Sequence, residues 1–162
     1  MDRPWTKEDV DKGMIEQGDP LVKKALDIIE YFKPALWFME NPNTGRLKDR
    51  EYMKDLNYYI VDYCMYSDWG YRKRTRIWTN KKDWKPLICD GTGTCGNMID
   101  GQHKEVLGNG YIMINGKKTL CNTKDMRKNM KQREDVTGIN NRTCIDDRYR
   151  IPEELIFSLF LG

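Results

Sequence analysis

The sequence predicts an α/β fold in which a helix, a strand, a short helix and two further strands form part of a sheet. Two observations predict it. Apolar residues recur at helical spacing directly before an unbroken apolar run of strand length, and two more strand-like segments follow before residue 80. The predicted parts are a polar lead-in over 1–18, the partial α/β core over 19–80, a loop-rich basic insertion over 81–147 and a C-terminal helix over 148–162 that packs on the core.

Length and composition narrow the class of protein. A chain of 162 residues is one domain long, which excludes a two-domain enzyme. Its residues are 39% hydrophobic and 33% charged, and the hydrophobic residues are concentrated in runs, which excludes a fully disordered chain. No apolar stretch approaches the roughly 20 residues of a membrane helix, and no signal-peptide pattern begins the chain. We therefore predict an intracellular protein of the cytoplasm or nucleus, neither secreted nor bound to a membrane.

Two helices have clear boundaries. The first begins at Asp19-Pro20, because aspartate suits an N-cap and proline the first helical position, and it ends at Lys33-Pro34. Its apolar positions are Leu21, Ala25, Ile28, Ile29 and Phe32. The second begins at Pro152, and its apolar positions are Leu155, Ile156, Leu159 and Phe160. Residues 1–18 are polar without a period, so we expect a lead-in segment or a loop there.

The strands follow from apolar runs and turn residues. The run over 35–39 is apolar throughout, which is typical of a central parallel strand covered by helices on both faces. Turn residues over 40–45 place Glu40 at the carboxyl end of that strand, where α/β sheets bind their ligands. A short helix is expected over 47–56, with Leu47, Met53 and Leu56 buried. Strands over 58–63 and 73–79, joined through 67–70, predict a hairpin.

Basic residues form two clusters, although the net charge is only +3. The first comprises Arg72, Lys73, Arg74, Arg76, Lys81, Lys82 and Lys85, with Trp78 and Trp84 interleaved. The second comprises Lys117, Lys118, Lys124, Arg127, Lys128, Lys131 and Arg133. Arg72, Arg74 and Arg76 alternate and so share one strand face, where they repel one another unless an anion or acceptor-rich ligand lies between them. These clusters indicate either a polyanion partner or solvated surfaces.

The cysteines indicate a metal site. Five cysteines in an intracellular chain favour reduced thiols or metal binding over a disulfide framework. Cys89 and Cys95 precede the single histidine, His103, and this set of ligands suits Zn²⁺. Cys121 and Cys64 are the candidates for a fourth ligand. The segment 91–96 matches the G-x-G-x-x-G pattern, but no helix is predicted after it, so we do not expect a dinucleotide site.

Two of these motifs resemble a known family. The run Phe38-Met39-Glu40-Asn41-Pro42, followed by a hairpin that carries residues 70–78, is similar to the C-terminal part of the cytosine-C5 DNA methyltransferases, in particular the short enzymes of phages and large DNA viruses. The resemblance implies that Glu40 holds N3 and the amino group of a flipped cytosine. Arg74 and Arg76 match the family's Gln-x-Arg-x-Arg motif, whose arginines help to bind that base, while Arg72 stands in place of the glutamine.

The resemblance carries further expectations. It implies a partial Rossmann-like methyltransferase sheet, double-stranded DNA as partner, S-adenosylmethionine as methyl donor and a DNA-recognition role for 81–147. The expected catalytic residues are Glu40, Arg74 and Arg76, and the expected substrate contacts are Asn41, Pro42, Arg72, Lys73, Lys81, Lys82 and Lys85. The family's nucleophile lies in a Pro-Cys loop upstream of Glu-Asn, and neither a Pro-Cys pair nor a cofactor loop is found here. We therefore expect a chain that is inactive alone or acts with a second chain or as a homo-oligomer.

Two other functions fit the same residues. The basic insertion suits a stand-alone nucleic-acid-binding module in which the base pocket is only scaffold. The cysteines and histidine suit a small zinc-stabilised interaction protein. Replacement of Glu40 tests the first alternative, and metal analysis tests the second.

Overall fold

A computed structural model describes residues 6–105, 110–114, 117–121, 136–139 and 149–161. The chain divides into two compact units, residues 1–37 and 38–162, which are taken in turn. Among the described residues, no helix is long and apolar enough to cross a membrane.

The first unit is helical from its first described residues. Helix α1 spans Lys7–Gly13, a π-helical turn spans Met14–Gly18, and helix α2 spans Asp19–Phe32. Lys33 takes a left-handed conformation at φ 45° and ends α2 as predicted. The loop expected over 1–18 is a wrong prediction for 7–18. The cause is local: Thr6 and Asp9 form a capping box that begins α1 without an apolar period.

A three-stranded antiparallel sheet organises the second unit. Strands β1 (Phe38–Pro42), β2 (Tyr58–Asp62) and β3 (Arg74–Thr79) have the order β1-β3-β2, so β3 is central. The hairpin strands β2 and β3 lie within one residue of the predicted bounds. The predicted central parallel strand is wrong, because among the described strands β1 pairs only with β3, and that pairing is antiparallel. Pro42 lacks an amide hydrogen and is tolerated in such an edge strand.

The connection from β1 to β2 buries the residues expected there. Its helical content is two 3₁₀ turns, Leu47–Asp49 and Glu51–Met53, in place of the single helix predicted over 47–56. Leu47 and Met53 are buried as expected. A third 3₁₀ turn, Tyr63–Met65, follows β2 and redirects the chain toward β3.

The insertion contains more strand than the sequence predicts. Strands β4 (Met98–Ile99) and β5 (Gln102–His103) pair antiparallel. Strands β6 (Gly110–Ile114), β7 (Lys117–Cys121) and β8 (Val136–Ile139) form an antiparallel sheet of order β7-β6-β8. Lys117 and Lys118 lie in β7, and the rest of the second basic cluster, Lys124 to Arg133, lies outside the described residues.

The C-terminal helix packs on the sheet as predicted. Helix α3 spans Glu153–Leu161 and directly follows Pro152. Leu155 and Leu159 join a buried cluster with Val61, Ile77 and Trp84. The Trp84 indole donates to Ser158 Oγ at 2.9 Å, which fixes the segment after β3 to the helix. Ile156 and Phe160, also predicted as apolar packing positions, are 41% and 61% exposed.

Candidate functional site

The predicted anion between the arginines is a residue of the chain itself. Asp62 ends β2 directly opposite Arg74 of β3 and is fully buried. Its Oδ1 accepts from Arg74 Nε at 3.0 Å and from Arg72 Nε at 3.2 Å, and its Oδ2 accepts from Arg74 Nη2 at 2.7 Å. Asp62 was not predicted from the sequence. The sequence did contain a signal for it, because Asp62 lies at the end of one predicted hairpin strand and the other strand carries Arg74.

Asp62 is held in its charged form. Its burial raises its pKa, but hydrogen bonds from Arg74 and from the Cys89 backbone amide, together with the charges of Arg72 and Arg74, outweigh burial and bring the pKa below the ordinary value. The same hydrogen bond raises the pKa of Arg74. A buried carboxylate paired with two half-exposed arginines therefore joins β2 to β3.

Arg76 has a different neighbourhood. It lies directly opposite Asn41 across β1 and β3, so the Glu-Asn and Arg-x-Arg motifs are on adjacent paired strands. The Arg76 guanidinium lies over the Tyr58 ring, 3.9 Å from its centroid, and Tyr58 is itself 44% exposed. Arg74 and Arg76 share a strand face, as predicted from their alternation.

Glu40 lies on the other face of the sheet. It is paired with Ile77, and paired residues of neighbouring strands point to the same side, so its side chain is opposite to those of Arg74 and Arg76. The structure therefore does not bring Glu40 and the two arginines to one face of the sheet. Strand alternation decides this, because Glu40 and Asn41 are consecutive and only Asn41 faces the arginine side.

A lysine and a tyrosine replace the arginines as neighbours of Glu40. Lys73 Nζ lies 3.5 Å from Glu40 Oε1, and the Tyr63 hydroxyl donates to the same oxygen at 3.2 Å. The ammonium of Lys73 also lies 4.6 Å from the centroid of the Tyr63 ring. Burial, followed by the charge of Glu40, raises the pKa of Tyr63, so its hydroxyl keeps the proton that it donates. The Glu40 side chain is 28% exposed, which leaves it open to a ligand.

Asn41 and Pro42 are fixed by a tight turn. The Gly45 amide donates to the Pro42 carbonyl at 2.7 Å. A Cβ on Gly45 would lie 2.2 Å from Asn41 Oδ1, so only glycine leaves the Asn41 amide where it is. The Gly45 backbone therefore passes close to the Asn41 side chain, an approach that a larger residue would prevent.

The remaining predicted DNA contacts divide into structural and exposed lysines. Lys73 is 4% exposed and pairs with Glu40, so it does not offer a surface charge. Lys81 Nζ donates to the Leu159 carbonyl at 2.9 Å, near the C-terminal end of α3, where a cation is favourable. Lys82 and Lys85 are exposed. Of these four lysines, only Lys82 and Lys85 present the free surface charge expected of phosphate contacts.

The predicted metal ligands come together, and a fourth residue joins them. Cys64, Cys89, Cys95 and His103 place one ligand atom each within 4.8 Å of all the others. His103 Nε2 lies 3.7 Å from the sulfur of Cys89 and 3.7 Å from that of Cys95. Cys121 lies in β7, and its side chain is outside the described part of the chain. A Cys₃His group of this kind could hold a metal ion.

The backbone around the four ligands is held by Asn97. The side-chain amide of Asn97 donates to the carbonyls of Cys64, Ser67 and Cys95 at 2.7–3.1 Å, and its oxygen accepts from the Gly70 amide at 3.1 Å. Asn97 is 1% exposed, so these bonds are shielded from water. One buried side chain thus joins the turn after β2 to the segment that carries Cys95.

Local electrostatics favour the neutral forms of Cys64 and His103. Burial raises the pKa of the Cys64 thiol, and the neighbouring thiols of Cys89 and Cys95 raise it further. Burial, followed by the charge of Arg72, lowers the pKa of His103. A neutral imidazole is the form that binds metals, whereas the Cys64 thiol requires a cation to become a thiolate ligand.

Comparison with known proteins gives one informative match. The chain is 47% identical over 93 residues to a probable DNA (cytosine-5)-methyltransferase of Frog virus 3 (isolate Goorha). The resemblance to the cytosine-C5 DNA methyltransferase family is confirmed. The match covers 57% of this chain and 42% of the viral protein, so the chain spans less than half the length of that relative. No protein-family model matches the chain, and no solved structure matches it.

Proposed function

We propose that the chain supplies the target-base pocket and the DNA-recognition part of a cytosine-C5 DNA methyltransferase acting on double-stranded DNA. The observation that carries the proposal is the pairing of the two family motifs: Asn41 of the Glu-Asn motif lies directly opposite Arg76 of the Arg-x-Arg motif. The 47% identity over 93 residues to a viral protein described as such an enzyme supports it.

Glu40 is the proposed contact to the base. Both of its donors, Lys73 Nζ and the Tyr63 hydroxyl, approach Oε1, so Oε2 can receive the Watson–Crick edge of an extruded cytosine. The contacts from Lys73 and Tyr63 fix the orientation of the Glu40 side chain. A cytosine offers an amino group to such an oxygen, whereas thymine offers a carbonyl, so Glu40 selects between the two bases.

The arginines have separate proposed roles. Arg74 gives two of its nitrogens to Asp62 and Arg72 gives one, so this pair holds β3 in register with β2 and positions Lys73, which lies between the two arginines in the chain. Arg76 rests on the partly exposed Tyr58 ring and is the proposed contact to the nucleic acid on the Asn41 face. Lys82 and Lys85 are proposed to contact phosphates.

Methyl transfer itself requires groups supplied from elsewhere. S-adenosylmethionine, the methyl donor implied by the family, has no fitting loop among the described residues, because the glycine-rich segment 91–96 leads into strand β4 and not into a helix. The 162 residues contain no Pro-Cys pair. We therefore propose that groups outside these 162 residues provide the nucleophile and the cofactor site.

Zinc is part of the same proposal. The Zn²⁺ predicted at Cys89, Cys95 and His103 would stabilise the recognition segment, since the described part of that segment contributes few buried apolar residues of its own.

Duplex binding tests the base pocket. A labelled duplex with a central mismatched cytosine should bind more tightly than the fully paired duplex or one with a mismatched thymine, because a mismatched base costs less to extrude. Glu40→Gln should remove the preference for cytosine, whereas Glu51→Gln, which alters an exposed glutamate, should retain it. Fluorescence anisotropy measures both. Equal affinity for cytosine and thymine mismatches in the unaltered chain would overturn the base pocket and favour the stand-alone nucleic-acid-binding module.

A further inference from the structure

The four metal-ligand candidates come from three separate segments of the second unit. Cys64 lies in the turn after β2, Cys89 and Cys95 lie in the segment after β3, and His103 lies in β5. We infer that Cys64 completes a closed Zn²⁺ site that ties the recognition segment to the arginine-bearing strand β3. This inference rests on the zinc part of the proposed function and extends it to the fourth ligand and to the role of the site.

The donor set and its spacing fit zinc. Three thiolates and one imidazole form a standard four-coordinate structural set. With Zn–S of about 2.3 Å and Zn–N of about 2.0 Å, the edges of a tetrahedron are roughly 3.5 Å long. The distances of 3.7 Å from His103 Nε2 to the Cys89 and Cys95 sulfurs are close to this edge length. Four protein ligands leave no open position, so the site is structural and not catalytic.

The chain brings these residues together through dedicated turns. Asp90 Oδ1 accepts from the Thr92 amide at 2.9 Å and from the Thr92 hydroxyl at 2.7 Å, which folds the segment between Cys89 and Cys95. The Lys104 amide, directly after His103, donates to the Asn97 carbonyl at 3.0 Å. The backbone thus presents all four ligands to one point.

Asp62 connects the cluster to the arginines. The Cys89 amide donates to Asp62 Oδ2 at 3.0 Å, and the same oxygen accepts from Arg74 Nη2 at 2.7 Å. Cys64 follows Asp62 by two residues in the chain. One of the four ligands, Cys89, is therefore hydrogen-bonded through its backbone to the carboxylate that holds Arg72 and Arg74, and a second, Cys64, lies two residues from that carboxylate in the chain. Bound zinc restrains Cys64 and Cys89, and through them it restrains Asp62 and its two arginines.

Metal analysis with two matched cysteine variants tests the ligand assignment. The chain purified under reducing conditions should contain one zinc per molecule by mass spectrometry, and Co²⁺ in its place should give the visible bands of tetrahedral thiolate coordination. Cys64→Ser should weaken Co²⁺ binding by more than about 10-fold. Cys121→Ser, which removes the other candidate ligand, should leave it unchanged. The reverse pattern, or an unaltered chain that binds no zinc and titrates as a disulfide, would overturn the assignment.

A second measurement keeps the test independent of how Cys64→Ser folds. Zinc is removed from the unaltered chain with a chelator and then restored, and phenylglyoxal labelling of arginines is read by peptide mass spectrometry. Labelling of Arg72 and Arg74 should rise several-fold on removal and fall again on restoration, while Arg46 stays constant. Constant labelling of Arg72 and Arg74 while zinc leaves would overturn the link to β3. Neither measurement uses DNA, so a failure of the zinc assignment can be distinguished from a failure of the proposed base pocket.

Discussion

At the scale of single residues, Asp62 connects two arginines to the metal-ligand cluster. It is fully buried, it pairs with two arginines, and it accepts the amide of a cysteine in the metal-ligand cluster. A buried charge that loses its compensation is costly, so the sheet and the cluster both depend on this one carboxylate.

Replacement of Asp62 should therefore destabilise the protein. Asp62→Asn keeps the shape but leaves Arg72 and Arg74 without a counter-charge, and we expect a loss of about 2 kcal/mol, a value reduced because both arginines are partly exposed. Urea denaturation followed by circular dichroism measures it. Asp68→Asn, at an exposed aspartate, serves as the control and should change stability by less than about 0.5 kcal/mol. Equal stability of both variants would contradict the role given to Asp62.

Residue identity also explains what the sequence could predict about the sites. Cys89, Cys95 and His103 lie within 15 residues of one another, so their spacing alone indicated a metal site. Cys64 lies 25 residues before Cys89, and only the paired hairpin brings it to the cluster. Glu40 was predicted at the end of its strand, whereas it is the third residue of β1, and the side to which it points depends on strand register, which is a property of the sheet.

At the scale of elements, boundaries were predictable where local chemistry sets them. Strands β2 and β3 follow their own residue patterns, and α2 ends at Lys33 before a proline. The place of β1 was not predictable, because an apolar run does not distinguish a buried parallel strand from an edge strand covered on one face. Long-range pairing with β3 decided it. Helix α1 was missed because a capping box, and not an apolar stripe, begins it.

The docking of α3 gives a prediction at this scale. Leu155 is 0% exposed and packs against Val61 and Ile77, so Leu155→Ala should cost about 3 kcal/mol through lost burial and a residual cavity. Phe157→Ala, at a residue that is 49% exposed on the same helix, should cost less than half as much. Thermal denaturation of both variants measures the difference. Similar losses would mean that α3 does not pack on the sheet through its buried stripe.

At the scale of the whole molecule, the proposed DNA-binding surface depends on only part of the basic cluster. Lys73, Arg72, Arg74 and Lys81 are all engaged within the protein, by Glu40, Asp62 and the end of α3. Fewer positive charges near β3 are therefore available to bind a polyanion than the number of basic residues in the sequence indicates. Lys82 and Lys85 provide much of the charge that is available.

Salt dependence of DNA binding tests this division. Lys82→Ala and Lys85→Ala should each lower the slope of log affinity against log salt by about 1, because each removes one phosphate contact. Lys81→Ala should leave the slope unchanged and instead lower stability, since it removes the hydrogen bond to the end of α3. Anisotropy titrations at several salt concentrations provide the slopes. A smaller slope in Lys81→Ala, with no change in the other two variants, would contradict the assignment.

The most direct test of the central claim is whether the chain extrudes a cytosine from duplex DNA. A duplex that carries a fluorescent cytosine analogue at its centre becomes brighter when that base leaves the stack. We predict that the chain, with zinc bound, increases the fluorescence of this duplex at saturation, that Glu51→Gln does the same, and that Glu40→Gln binds the duplex without the increase. Saturating binding by the unaltered chain with no change in fluorescence would contradict a target-base pocket at Glu40.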